Sequence, residues 1–145
     1  MPAVESKPKR PETILIVDDN LASRRLMRLI LDREGYRILM AKDLDRALAI
    51  CAGRIPIDLL IVDPILRTQR GKLVAECFHE LRPGTPVLFS SGHALQELLA
   101  KGVLDVEPFR EGKAGFLEKP FTLAGLVEIV SKLLLRGQPR TFTAR

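Results

Sequence analysis

The chain has no tryptophan, one tyrosine and only two cysteines. No apolar run approaches the roughly 18 residues that a membrane span needs, so an integral membrane protein built on helices is excluded. So few large aromatics leave no stacking platform for nucleobases. Cys51 and Cys77 fall in different predicted helices, with nothing in their placement to bring them into bonding reach, and no His/Cys cluster has zinc-ligand spacing. Both cysteines read as small core hydrophobes. The first twelve residues, MPAVESKPKRPE, have charges but no apolar segment behind them, which is not the form of a secretory signal. A cytoplasmic location is the expectation.

An excess of positive charge is present but is not concentrated on a folded face. Of the net +5, the last ten residues carry +3 through Arg136, Arg140 and Arg145. Residues 1–12 carry +1, which leaves +1 for 13–135. Nucleic-acid binding by the domain itself is therefore not expected. At 145 residues, 46% hydrophobic and 28% charged, the chain is the size and composition of one soluble globular domain. Prolines at 2, 8 and 11 mark 1–12 as a flexible N-terminal tail, and Gly137 and Pro139 mark 136–145 as a second tail.

Between the tails, short apolar runs alternate with amphipathic stretches. Strands are predicted over 13–17 (TILIV), 36–41 (YRILMA), 57–62 (IDLLIV), 86–90 (PVLFS) and 114–118 (AGFLE). Helices are predicted over 21–34, capped by Asn20 and closed by Gly35, and from Asp43 to 52. Others follow over 71–81, 94–101 and, capped by Thr122, to about 135. In the last one Leu123, Leu126, Val127, Val130, Leu133 and Leu134 recur at helical spacing, as a core-facing stripe does. The segment 103–113 is predicted to be an irregular excursion. Five βα units call for an α/β domain, 13–135, with a five-stranded parallel sheet and helices on both faces.

In an open sheet of this kind, ligands bind outside the carboxyl ends of the strands. The sequence places Asp18 and Asp19 after the first strand and Asp63 after the third. Ser90, Ser91 and Gly92 end the fourth, and Glu118, Lys119 and Pro120 end the fifth. Crowded carboxylates raise one another's pKa unless a cation intervenes. Mg²⁺ is the fitting ion, since it takes oxygen ligands and needs only one or two direct carboxylates beside water and phosphate. A lysine and a serine hydroxyl suit phosphate oxygens. Such equipment stabilises charge on a transferred phosphoryl group, and a carboxylate can accept that group as an acyl phosphate.

The ordered set ILIVDDN at 14–20, LLIVD at 59–63, Gly71, PVLFSSGH at 86–93 and FLEKPF at 116–121 resembles the receiver domain of two-component response regulators. The resemblance covers about 13–135. It implies a flavodoxin-like doubly wound (βα)5 fold of strand order 2-1-3-4-5. It also implies that Asp63 is the phosphoacceptor, fed by a histidine kinase or a histidine phosphotransfer protein. Asp19 would bind Mg²⁺ directly, Asp18 would support it through water, and the backbone carbonyl of Ile65 would be a further ligand beside Asp63. Ser91 would be the switch hydroxyl, Lys119 would pair with the phosphoryl group or a carboxylate, Lys119-Pro120 would be a cis bond, and Phe116 would be the aromatic switch. With only ten residues after Leu135, a stand-alone regulator acting on a downstream protein target is the expectation. The resemblance leaves open a homodimer through the fourth helix, the fifth strand and the last helix.

Some features depart from the family pattern. Arg67 stands where many receivers have proline, and Pro64 directly follows Asp63, so the loop 64–70 (PILRTQR) is unusual and basic. Phe116 replaces a common tyrosine. The 92–118 region looks most like receivers attached to hybrid histidine kinases. A degenerate receiver that binds partners without phosphorylation is the alternative. A flavin-binding relative is disfavoured because Asp18 and Asp19 would repel phosphate, and a phosphatase with its nucleophile on the first strand because position 20 is Asn. His93 reads as a partly exposed helix-start residue rather than a base, and His79 as solvent-facing. Ile65 has the apolar bulk to shield an acyl phosphate from water. Ile65→Asn should therefore dephosphorylate faster than the parent, as followed by loss of the phosphoryl mass; an unchanged rate would remove that role.

Overall fold

A computed structural model describes residues 10–137. Strands β1 (Thr13–Val17), β2 (Arg37–Ala41), β3 (Leu59–Val62), β4 (Val87–Ser91) and β5 (Ala114–Glu118) form one sheet. Its order is β2-β1-β3-β4-β5, all parallel, as the resemblance implies. Helices α1 (Leu21–Arg33), α2 (Leu44–Ala52), α3 (Val74–Leu81), α4 (Leu95–Ala100), α5 (Glu107–Arg110) and α6 (Leu123–Gly137) connect and follow the strands. Among the described residues, no helix is long and apolar enough to cross a membrane.

The inner strands β1 and β3 are buried at every position because both of their faces are covered, and only Thr13 among their residues is polar. Alternate residues supply two cores. Ile14, Ile16, Leu59, Ile61 and Leu88 meet α1 and α6 through Met27, Leu31, Leu126 and Val130. Leu15, Val17, Leu60, Val62 and Val87 face the other way, towards Ala47, Val74 and Phe78 of α2 and α3. Each such side chain contributes roughly 1.5–3 kcal/mol through burial, so this double layer gives the strand ends a rigid base.

Three helix starts are capped as predicted. Asn20 accepts from the Ser23 N–H at 2.9 Å, Asp43 from Arg46 at 3.0 Å and Thr122 from Gly125 at 2.9 Å. Gly35, at φ +92°, closes α1 in the left-handed region.

The third helix differs from its predicted span. It starts at Val74 rather than 71, because the preceding loop folds back on itself. Arg67 and Leu73 form an antiparallel bridge, and Thr68 N–H donates to the Lys72 carbonyl at 2.8 Å. The Thr68 hydroxyl accepts from the N–H groups of Arg70 and Lys72, and Gly71 turns at φ +85°.

β3 starts at Leu59 rather than 57. Asp58 lies before it, gripping the Thr13 N–H at 2.7 Å and the Arg10 guanidinium at 2.7 and 3.0 Å. Within 103–113 the chain forms the single-turn helix α5, with Pro108 in its first turn. Cys51 and Cys77 are half-buried free thiols, and Cys51 packs against the second core as expected, whereas Cys77 lies at the margin. Residues 1–9 and 138–145, most of the two expected tails, lie outside the described residues.

The apolar stripe of α6 is narrower than its sequence. Leu126, Val130, Leu133 and Leu134 are buried, whereas Leu123 is 57% exposed. Leu126→Ala should lower the unfolding free energy by about 2–5 kcal/mol, and Leu123→Ala by no more than about 0.5 kcal/mol. Urea titration of both variants checks this, and equal losses would contradict the packing described.

Candidate functional site

Register builds the site. Val17 stands opposite Val62 across β1 and β3, so Asp18 and Asp63 leave the sheet side by side. Ser91 stands opposite Glu118 across β4 and β5, and the next residue, Lys119, donates its N–H to the Ser91 carbonyl at 2.7 Å. All these positions are at carboxyl ends, where the neighbours of β1 lie on opposite sides in chain order and a crevice opens.

Asp18 is the most firmly held member. It is 1% exposed, and its carboxylate accepts from Lys119 Nζ at 3.0 Å and from the Asn20 N–H at 2.8 Å. Its backbone carbonyl accepts from Arg24 Nη1 at 2.5 Å. Asp19, beside it, is exposed. Asp63 is half-buried, and its Oδ1 accepts from the Ile65 N–H at 3.0 Å. One carboxylate oxygen from each of Asp18, Asp19 and Asp63 lies within 4.8 Å of the other two. Burial raises the Asp63 carboxyl above the ordinary aspartate range. The Ile65 N–H and Lys119 pull it down, but the charges of Asp18 and Asp19 add to the rise.

Among the described residues, Lys119 is the only cation ion-paired with these carboxylates. Three negative charges thus face one positive charge, and the all-oxygen donor set fits a hard divalent ion such as Mg²⁺.

Around this centre the other predicted residues are distributed unevenly. Ser91 is buried, and its Oγ accepts from the His93 N–H at 3.0 Å. Among the described residues Ser90 Oγ is buried without a hydrogen-bond partner, and it lies on the opposite face of the strand. Phe116, half-buried, is not at the carboxyl edge but two residues below it on β5, opposite Phe89. The Ile65 side chain is 43% exposed just beyond Asp63. The Lys119-Pro120 bond is cis. His93 is half-exposed, with Nδ1 3.5 Å from Glu97, and His79 is exposed.

Arg24 was not anticipated. Its signal in the sequence is a cation near a helix N-terminus, where the helix dipole disfavours positive charge unless something else holds it. The Asp18 carbonyl does so.

The fold and the acidic crevice define a class, the doubly wound α/β domains that bind ligands at the strand ends. Comparison with known proteins narrows it. Residues 14–131 match the response regulator receiver domain, and the chain belongs to that family. A receiver domain is a phosphoacceptor switch rather than a catalytic enzyme. The chain is 35% identical over 123 residues to the nitrogen assimilation regulatory protein NtrX of Azorhizobium caulinodans, covering 83% of this chain and 26% of that protein. It is 28% identical over 122 residues to the autoinducer 1 sensor kinase/phosphatase LuxN of Vibrio harveyi, covering 84% of this chain and 13% of that protein. The chain thus spans 26% or less of the length of these two relatives. A response regulator receiver protein from Sinorhizobium medicae superposes with a TM-score of 0.68 at 28% identity, covering 88% of this chain and 98% of that one.

The raised Asp63 carboxyl has a consequence for stability. Folded protein holds this proton more tightly than unfolded chain, so the contribution is full below about pH 4, the ordinary aspartate range, and is lost as pH rises through the folded value. Asp63→Asn removes the charge yet keeps an acceptor for the Ile65 N–H. Without divalent cations it should show a higher urea midpoint than the parent at neutral pH. The difference should vanish below about pH 4, and an equal midpoint at neutral pH would contradict the electrostatics described.

Proposed function

We propose that this chain is a single-domain response regulator of a two-component phosphorelay. The observation that carries the reading is the meeting of Asp18, Asp19 and Asp63 within 4.8 Å, with Lys119 ion-paired to the most buried of them. Asp63 accepts the phosphoryl group from a phosphohistidine of a histidine kinase or histidine phosphotransfer protein. Its carboxylate oxygen forms the new P–O bond as the donor's P–N bond breaks. Asp19, Asp63, the Ile65 carbonyl and, through water, Asp18 would hold Mg²⁺. When bound, the ion supplies positive charge to the phosphoryl oxygens.

Lys119 is placed to exchange its Asp18 partner for a phosphoryl oxygen. Ser91 offers a hydroxyl whose hydrogen can be donated to another, and Phe116 follows that movement as the aromatic switch. The outcome is a population shift that alters contacts with a downstream protein target. The face formed by α4, β5 and α6 is the surface where a homodimer would form. A cytoplasmic site of action accompanies this reading. One observation supports the second reading, a degenerate receiver that acts as a phosphorylation-independent interaction module. The hairpin after Asp63, with Pro64 and Arg67, is tightly bonded to itself.

Intact-mass spectrometry after incubation with acetyl phosphate and Mg²⁺ separates the two. A gain of one phosphoryl group, absent in Asp63→Ala and without Mg²⁺, is the expected result. No gain, together with no response of the protein's amide spectrum to Mg²⁺, would overturn the phosphoacceptor reading.

A further inference from the structure

Asp19 stands in the acidic crevice with no bond of its own to hold it there. Its side chain is exposed, and it makes no hydrogen bond among the described residues. Yet one of its carboxylate oxygens lies within 4.8 Å of oxygens of Asp18 and Asp63, where like charges repel. The backbone on either side keeps it in place. The peptide unit before Asp19 is held at its carbonyl, where Asp18 accepts from Arg24 Nη1 at 2.5 Å. The unit after it is held at its N–H, which Asn20 donates to Asp18 Oδ1 at 2.8 Å. Peptide units are planar, so these two bonds set both units and with them φ and ψ of Asp19. The direction in which its Cβ leaves the backbone follows. The Arg24 end is anchored in turn. Its backbone N–H donates to the Asn20 carbonyl at 3.1 Å, and the Asn20 side chain caps α1 at Ser23. The bonds thus close a ring, from Asp18 to Asn20, on to Arg24 and back to Asp18.

Arg24 does not neutralise a carboxylate. It makes no ion pair among the described residues, and α1 has no acid in its first turn. Its side chain is half-buried and aims a donor at a neutral carbonyl. At the start of α1 the helix dipole opposes this cation, and the cation's own field opposes a divalent ion in the crevice. Any benefit to the crevice therefore has to come from geometry. We propose that Arg24 is a positioning residue: through the Asp18 carbonyl it keeps the Asp19 carboxylate within reach of Asp63, so that the two can hold one Mg²⁺ ion. The proposal rests on the reading of the crevice as a Mg²⁺ site. Without the Arg24 bond the Asp18–Asp19 peptide unit is free to turn, and repulsion from Asp18 and Asp63 carries Asp19 outward into water.

The test is a Mg²⁺ titration of the full chain and of full-chain Arg24→Met, followed by amide NMR. Methionine keeps the apolar stem and is a good helix former, but it has no donor. Field and geometry predict opposite signs. Loss of a nearby positive charge alone would tighten Mg²⁺ binding. Loss of positioning should raise the dissociation constant by roughly 10–100-fold, the usual cost of freeing a metal ligand from its support. Arg24→Gln, whose shorter side chain withdraws the donor, should weaken binding likewise and guards against a folding defect particular to methionine. The same Arg24→Met change in an Asp19→Asn background separates positioning from a general loosening of the loop. There it should leave the Mg²⁺ affinity unchanged or raise it, because the carboxylate it places is gone. Unchanged or tighter binding by Arg24→Met, or an equal loss in both backgrounds, would overturn the proposal with the Mg²⁺ site intact. A parent chain that binds no Mg²⁺ would overturn the site reading and the proposal together.

Discussion

Like charges held together dominate this structure. Asp18 and Asp63 are neighbours because β1 and β3 pair with Val17 opposite Val62, and the register of two fully buried strands cannot slip without turning both cores inside out. The repulsion at the strand ends is therefore imposed by the packing beneath them. The protein answers it locally and incompletely. Lys119 and the Asn20 N–H satisfy the Asp18 carboxylate, Arg24 fastens its carbonyl, and Asp63 receives one N–H. Asp19 makes no hydrogen bond among the described residues. What is left is a site with a strong preference for added positive charge.

The surroundings keep that preference from relaxing away. Two cores clamp β1 and β3 from both sides, and three capped helices fix the turns nearest the ends of β1, β2 and β5. Even the departure after Asp63 is rigid. The 64–73 hairpin is cross-bonded through Thr68 and through Arg67 Nη1, which donates to the Gly71 carbonyl at 2.6 Å. Its basic side chains thus stand on a fixed backbone beside the acidic crevice.

Much of this was legible because it depends on short-range pattern. Apolar runs ending in Asp18 and Asp63 locate two inner strands and two site residues at once. Asn20, Asp43 and Thr122 show where helices begin. The parts that escaped depend on contacts distant in sequence. That the carboxylate paired with Lys119 is Asp18, 101 residues away, follows from how three strand ends converge. The delayed start of α3 comes from backbone bonds across a loop, which apolar periodicity does not register. Leu123 fits the helical stripe by spacing but lies at the start of α6, where it is 57% exposed among the described residues. The single turn α5 is too short for periodicity to reveal.

Magnitudes limit how the switch can work on the proposed reading. Moving a two-state equilibrium from 1:99 to 99:1 takes about 5.5 kcal/mol of differential stabilisation. A hydrogen bond to a charged group is worth about 1.5–3 kcal/mol. The Ser91 hydroxyl would donate to a charged phosphoryl oxygen, so it changes the ratio by roughly 10- to 150-fold. For Lys119 the gain is smaller than that, because it must leave an Asp18 carboxylate that already holds it at 3.0 Å. At the middle of these ranges the two residues together fall short of a complete shift. The remainder has to come from groups that order around the phosphoryl oxygens or from a partner that binds one state better. On the proposed reading, the switch would be completed on the protein target rather than alone.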